Sequence, residues 1–192
     1  AQLQDWRPFR GCILLLVDDG TPIDALKSEA DTTLLLLEQP VEIEDVFQAV
    51  EECFNQAVYV ADCTAKLLQA CRQNRGLQAL LDLGYEMLGN PLLLVDISLC
   101  FVAHAGGNFV HDEPLWEWTL SKGYVTEEYV NSVMVEEGDR QVAQSDSFIW
   151  EKGLLNHTQL VGRVMRGNVP LAYLKLLAYH KPITDTDQKI LG

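Results

Sequence analysis

Basic side chains are scarce in this chain. Lysine and arginine number 14 against 28 aspartates and glutamates, a formal net charge of −14. Non-specific DNA binding depends on cations that neutralise phosphates, so such a surface repels nucleic acid. The deficit is even, −7 on residues 1–75 and −7 on residues 76–192, and neither part reads as a nucleic-acid arm. Long apolar runs are also missing. Stretches such as Ile13–Val17, Leu34–Leu37 and Leu92–Val95 fall far short of the ~20 residues a membrane-spanning helix needs. The start, Ala1-Gln2-Leu3-Gln4-Asp5, has neither an initiator methionine nor the basic start and apolar core of a signal peptide. The expectation is a cytoplasmic fragment of a longer protein, with no membrane partner. The five cysteines (Cys12, Cys53, Cys63, Cys71, Cys100) are odd in number and form no Cys-x-x-Cys pair. They are expected to be reduced thiols serving as small apolar fillers. No Gly-x-Ser-x-Gly elbow, phosphate-binding Gly-x-x-x-x-Gly-Lys loop or His-Glu-x-x-His helix occurs, so neither an enzyme nor a cofactor is expected.

What is present suffices for a core: 48% of the residues are hydrophobic. Gly11–Asp18 reads as a buried strand, Ile23–Glu29 as a short helix behind the Thr21-Pro22 start signal, and Thr32–Leu37 as a second strand. Together they form a small α/β element over residues 1–41. From Glu42 the period changes. Ile43, Phe47, Val50, Phe54, Ala57, Ala61, Thr64, Leu68 and Cys71 fall at alternating spacings of four and three, which predicts one helix over 42–72 with a heptad stripe. Such a helix over 42–75 connects domains and pairs with its copy in a homodimer, or lies buried against its own domain.

Asn74-Arg75-Gly76 breaks the pattern. Leu77, Leu80, Leu81, Gly84, Tyr85 and Leu88 make a second amphipathic helix, stopped at Gly89 and Pro91. Leu92–Asp96 and Leu99–Ala103 read as a hairpin, Glu113–Leu120 and Glu127–Val135 as short helices, the second capped by Thr126. Phe148–Trp150, Gln159–Arg166 and Leu171–Tyr179 read as strands, with Gly167-Asn168 turning between the last two. Thr184 begins a final helix. The predicted class is α+β, an antiparallel sheet over residues 76–192 with helices inserted and one face covered.

The stretch from Leu80 to Asp96, with its Leu88-Gly89-Asn90-Pro91 helix-to-strand passage, resembles the entry to the sensor domain of PucR-like regulators, the purine-catabolism-regulator family and its relatives. Asp112-Glu113-Pro114-Leu115-Trp116, Gly123-Tyr124-Val125 and Tyr179-His180-Lys181-Pro182 follow in matching order. The resemblance covers residues 76–192 well and 1–75 weakly. It implies a GAF- or PAS-like domain that holds a metabolite or a partner in a bacterial transcription regulator. It also implies a C-terminal helix-turn-helix, which does not occur within these 192 residues, so DNA contact is expected only through a domain this chain lacks.

A sensor pocket lies between sheet and inserted helices and needs an apolar lining with a few placed polar groups. Trp116 and Trp150 offer flat faces for a planar ligand. Trp116 and Trp118 are two apart, so they cannot share one helical face. Alternation puts Tyr173, Lys175, Leu177 and Tyr179 on one face of their strand and the apolar Ala172, Leu174, Leu176 and Ala178 on the other. Lys175 and Arg163 could meet an anionic ligand. The candidate effector site is therefore Trp116, Trp150, Arg163, Tyr173 and Lys175, for a planar or anionic small molecule. The plainer account of each is core packing, or charge that keeps a sheet soluble. His104 and His111 flank the Gly106-Gly107 loop as a conceivable metal pair or as solvent-facing loop residues. No metal site is expected. Glu127-Glu128 and Glu136-Glu137 read as solvated faces of one short helix. The function expected is a small-molecule sensor that dimerises; the alternative is a ligand-free dimerisation or protein-interaction module.

Overall fold

The computed structural model describes residues 13–17, 33–37, 42–135, 147–151 and 155–191. The chain forms two compact units, residues 1–55 and 56–192. In the first, β1 (Ile13–Val17) and β2 (Thr33–Leu37) pair in parallel, Ile13 opposite Thr33 and Val17 opposite Leu37. The expected helix at Ile23–Glu29 lies outside the described residues, as does Glu136-Glu137. Helix α1 (Ile43–Arg72) follows, within a residue of the length read from the heptad stripe.

The second unit is built on α2 (Leu77–Leu88), β3 (Leu92–Asp96), β4 (Phe101–Ala105), α3 (Pro114–Lys122), α4 (Glu127–Val135), β5 (Ser147–Trp150), β6 (Gln159–Arg166), β7 (Val169–Leu177) and α5 (Asp185–Leu191). Its five strands form one antiparallel sheet in the order β4-β3-β7-β6-β5. The class is α+β. Strand β4 begins two residues later than the hairpin reading placed it. Leu99 sits at φ 60, and the Asp96 carboxylate accepts from the Ser98 and Cys100 N–H groups, so the turn takes up two more residues.

The strand alternation sorts two cores. Leu92, Leu94, Ala103, Ala105, Leu160, Ala172 and Leu176 face one side, against Leu81 and Leu88 of α2 and Ile190 and Leu191 of α5. This is the apolar set expected from β7. Leu93, Val95 and Leu177 face the other side with Trp116, Val125 and Tyr129 of the α3–α4 segment. The expectation of a single covered face is therefore wrong: helices lie on both faces of the sheet centre. The reason lies in α3 and α4. Their inward sets are short and mixed with polar residues, so neither presents a continuous apolar stripe to read.

The motif Leu88-Gly89-Asn90-Pro91 has a structural role. Gly89 ends α2 at φ 68, with its N–H on the Tyr85 carbonyl. Asn90 is fully buried; its Oδ1 accepts from His180 and Lys181 N–H at 2.9 and 3.3 Å, and its Nδ2 donates to the Lys181 carbonyl at 2.9 Å. The helix-to-strand passage is thus latched to the chain's closing segment. Asn90→Ala should cost about 2 kcal/mol, because it strands buried backbone groups. Urea titration of both proteins checks this, and an unchanged midpoint would show that the latch is dispensable.

Two cap expectations hold: Thr126 Oγ1 accepts from Tyr129 N–H, and Thr184 and Asp187 cap α5 reciprocally. The four described cysteines are free thiols, Cys12 lying outside the described residues, but as buried fillers three of them fail. Cys63 is buried, but Cys53, Cys71 and Cys100 are exposed. Cysteine in a helical stripe says only that the position is small and apolar, not that the chain itself covers it.

Candidate functional site

Strand register builds the site from three rows on the α3–α4 face. The first runs Trp150–Gln159–Leu177, the second Val161–Lys175–Leu93, the third Arg163–Tyr173–Val95. Neighbouring rows on one face are about 7 Å apart along a strand. The second row is central, and α3 and α4 close over it. Leu93, Trp116, Thr119, Tyr129, Gln159 and Lys175 surround a small chamber of about 10 Å³, roughly the space for one water.

Lys175 is the unusual member. It is 5% exposed at the centre of a sheet. Its Nζ lies 4.3 Å from the Tyr129 ring centroid and donates to the Tyr129 hydroxyl at 3.3 Å. Among the described residues no carboxylate pairs with it. Burial pulls its pKa down to about 8. Tyr129 is held above the usual phenol range, chiefly by burial and further by the nearby charge of Glu113. Around this cation, Gln159 Oε1 and Trp116 Nε1 are buried without hydrogen-bond partners, and so is Trp150 Nε1 in the neighbouring row. Buried polar atoms nearly always find partners, so orphans gathered beside a buried cation mark a place where a polar group is missing.

Glu113 does not line the chamber but lies near enough for its charge to act on Tyr129. It is fully buried immediately before α3, and its Oε2 accepts from Asn156 and His157 N–H at 2.9 and 3.1 Å. Burial pushes its carboxyl up, against the opposing pull of those two N–H groups. Asp112 adds a contact of 3.1 Å to His157 Nε2, and its carbonyl accepts from the Asn156 amide. The segment leading into β6 is thereby pinned to the start of α3.

Of the five residues named from sequence, Trp116 and Lys175 line the chamber. Trp150 lies one row away, opposite Gln159, and is buried. Tyr173 and Arg163 sit together in the third row, half-buried, and do not line the chamber. Trp118 is exposed, as its two-residue offset from Trp116 requires, and stands edge-on to Tyr124. Gln159, Thr119, Tyr129 and Glu113 were not named. Tyr129 carried a signal, since it lies one turn after the Thr126 cap; Gln159 did not, because its place opposite Leu177 follows from the bulge between Val164 and Met165. A glutamate before proline signals only a helix start.

No protein-family model matches the chain, and no curated protein matches it. What the chamber offers is a buried cation beside the Tyr129 phenol, an indole N–H and an amide. That set suits recognition of a small anion. Among the described residues no group of three or more His, Cys, Asp or Glu side chains could hold a metal ion; His104 is half-buried and His111 exposed. A larger cleft of about 200 Å³ lies on the opposite sheet face, bordered by Leu67, Leu80, Leu92, Leu174 and Ile190. Its aliphatic lining supplies none of the placed polar groups that give a site specificity. Among the described residues no helix is long and apolar enough to cross a membrane.

Proposed function

We propose that this chain is the sensing and self-associating part of a PucR-like bacterial transcription regulator, cytoplasmic and without catalytic activity. Residues 76–192 then act as a GAF/PAS-like domain that responds to a small planar or anionic effector. DNA contact is assigned to a helix-turn-helix domain outside these residues, and α1 pairs two copies. The observation that carries the reading is Lys175, a buried cation with no carboxylate partner among the described residues, beside the unpaired Gln159 and Trp116 atoms. An anion there would supply the missing counter-charge and hydrogen bonds. The sheet supports the reading at the level of fold. Counted within it, the strand order is 2-1-5-4-3, with α3 and α4 inserted between the second and third strands. Fold alone does not carry function, so the weight rests on the chamber.

One observation favours the second reading, a ligand-free interaction module: the chamber is small, about 10 Å³, the space of roughly one water. An effector larger than a water enters only if α3 or α4 moves. Differential scanning fluorimetry against carboxylates, phosphates, purines and amino acids separates the two. A ligand at 100 times its dissociation constant stabilises by about 2.7 kcal/mol. Its binding should weaken as pH rises through about 8, where buried Lys175 loses its proton, and should be lost in Lys175→Met. If no compound in the panel shifts the transition, the interaction-module reading stands instead.

A further inference from the structure

We infer that two copies of this chain pair along α1 in antiparallel orientation, the amino-terminal half of each helix against the carboxy-terminal half of the other. The inference rests on the self-association proposed above and gives it a geometry.

The helix is about 45 Å long at 1.5 Å per residue, and it presents two faces. Within residues 56–192, Cys63 and Ala70 are buried, Leu67 borders the aliphatic cleft, and the Tyr59 hydroxyl donates to the Met87 carbonyl at 2.6 Å. The heptad stripe is a different face and is left uncovered. Ile43 is 58% exposed, Phe47 70%, Phe54 68% and Leu68 53%. Ala57, Ala61, Thr64 and Cys71 are exposed too, and only Val50 is half-buried. Thr64 spends its hydroxyl on the Val60 carbonyl within the helix, so it adds no unpaired polar group to the seam. A run of four heptads this apolar and this open asks for a partner helix.

Charge selects the partner and its direction. Residues 43–57 carry Glu44, Asp45, Glu51 and Glu52 and no basic side chain, a net −4; residues 58–72 carry Asp62, Lys66 and Arg72, a net +1. A parallel copy would set −4 beside −4. An antiparallel copy sets −4 beside +1, with Glu44 opposite Arg72 at the flanks of the seam, where opposite charges fix helix orientation.

Side-chain size agrees independently. The stripe is large at its start and small later. In the antiparallel register that overlaps residues 46–72 of both helices, the layers are Phe47 on Cys71, Val50 on Leu68, Phe54 on Thr64 and Ala57 on Ala61. Each phenyl ring then meets a small side chain, as interdigitated packing requires. In parallel, Phe47 and Phe54 would each stack on their own copies and Thr64 would face Thr64, while the alanine layers stay small in either direction.

Sedimentation and thiol cross-linking test this on the whole chain. The wild type should sediment as a dimer at micromolar concentration. Phe54→Glu should raise the dissociation constant on the order of 100-fold. Its circular dichroism should not change, because Phe54 is exposed in the single chain. Under mild oxidation the wild type should give no Cys71–Cys71 link. Phe47→Cys should give a link between the introduced thiol and Cys71 of the second copy, identified by mass spectrometry of the joined peptides. A Cys71–Cys71 link in the wild type would overturn the orientation and keep the pairing. A monomer at high concentration, or a dimer untouched by Phe54→Glu, would overturn both.

Discussion

Lys175→Met should stabilise the protein at pH 7 by about 1–3 kcal/mol, and the gain should fade as pH rises from about 8 to 10.5. The size follows from the cost of holding a cation in the sheet centre. Its pKa falls from 10.5 to about 8, and each unit corresponds to about 1.36 kcal/mol. The sign follows from linkage. Between pH 8 and 10.5 the unfolded chain binds a proton at this lysine and the folded chain does not, so wild-type stability rises with pH across that window. Below about pH 8 both states are charged and the full cost is present; above 10.5 neither is, and the cost is gone. Methionine has nearly the same length, fills the same space and carries no charge, so its advantage is largest below pH 8. Losing the Tyr129 contact trims the gain, since a desolvated cation over an aromatic ring contributes roughly 2 kcal/mol. Urea unfolding of both proteins at pH 7, 9 and 10.5 measures the difference, and the titrations of other groups cancel in it. A gain that stays flat with pH, or a loss at pH 7, would mean that Lys175 is already neutralised within the fold. A destabilising buried lysine is what a site kept for binding, rather than for packing, should show.

The elements of this fold were far more legible than the site. The heptad stripe of α1 gave its length because apolar spacing persists over four heptads. The alternation of Ala172, Leu174, Leu176 against Tyr173, Lys175, Leu177 gave both faces of β7. The face of α1 that docks within residues 56–192 was not legible. Tyr59, Cys63, Leu67 and Ala70 are no more apolar than the stripe left bare. Nor was the second cover of the sheet, since α3 buries Trp116 and Thr119 while Glu117 and Trp118 point out. Among the site residues, Lys175 was found by its strand parity, but its burial depends on α4, whose Tyr129 reaches it from 46 residues away. Arg163 and Tyr173 share that parity and still miss the chamber, because parity fixes the face and not the row. Glu113 shows the converse. Its burial comes from two N–H groups of a segment more than 40 residues downstream, and no local pattern encodes that.

Trp116→Ala should destabilise residues 56–192 by about 3–5 kcal/mol, the usual range for removing a large buried aromatic side chain. Trp116 is 1% exposed and packs in the core that Leu93, Val95, Tyr129 and Leu177 share. Its indole nitrogen lies close to Gly107, where a Cβ would come within 3.0 Å of it and 2.7 Å of His104 Nδ1. That glycine therefore makes room for the ring, and the ring roofs the Lys175 chamber. Truncation would merge the vacated volume with the existing space of about 10 Å³, and the enlarged cavity would have a cation on its floor. Two measurements follow. The thermal transition should drop by about 6–20 °C, at 2–4 °C per kcal/mol for a protein of this size. Added indole should recover part of that drop, because an apolar cavity binds a ligand of the shape it has lost. Trp116→Phe is the control: it keeps most of the packing and deletes the unpaired N–H, so it should cost well under half as much. If Trp116→Ala costs less than about 1 kcal/mol, α3 is not clamped over the sheet, and the chamber is a surface dimple rather than a built site. If the full cost appears but indole restores nothing, the helices have collapsed into the space, and the closed, ligand-free account of this domain gains over sensing.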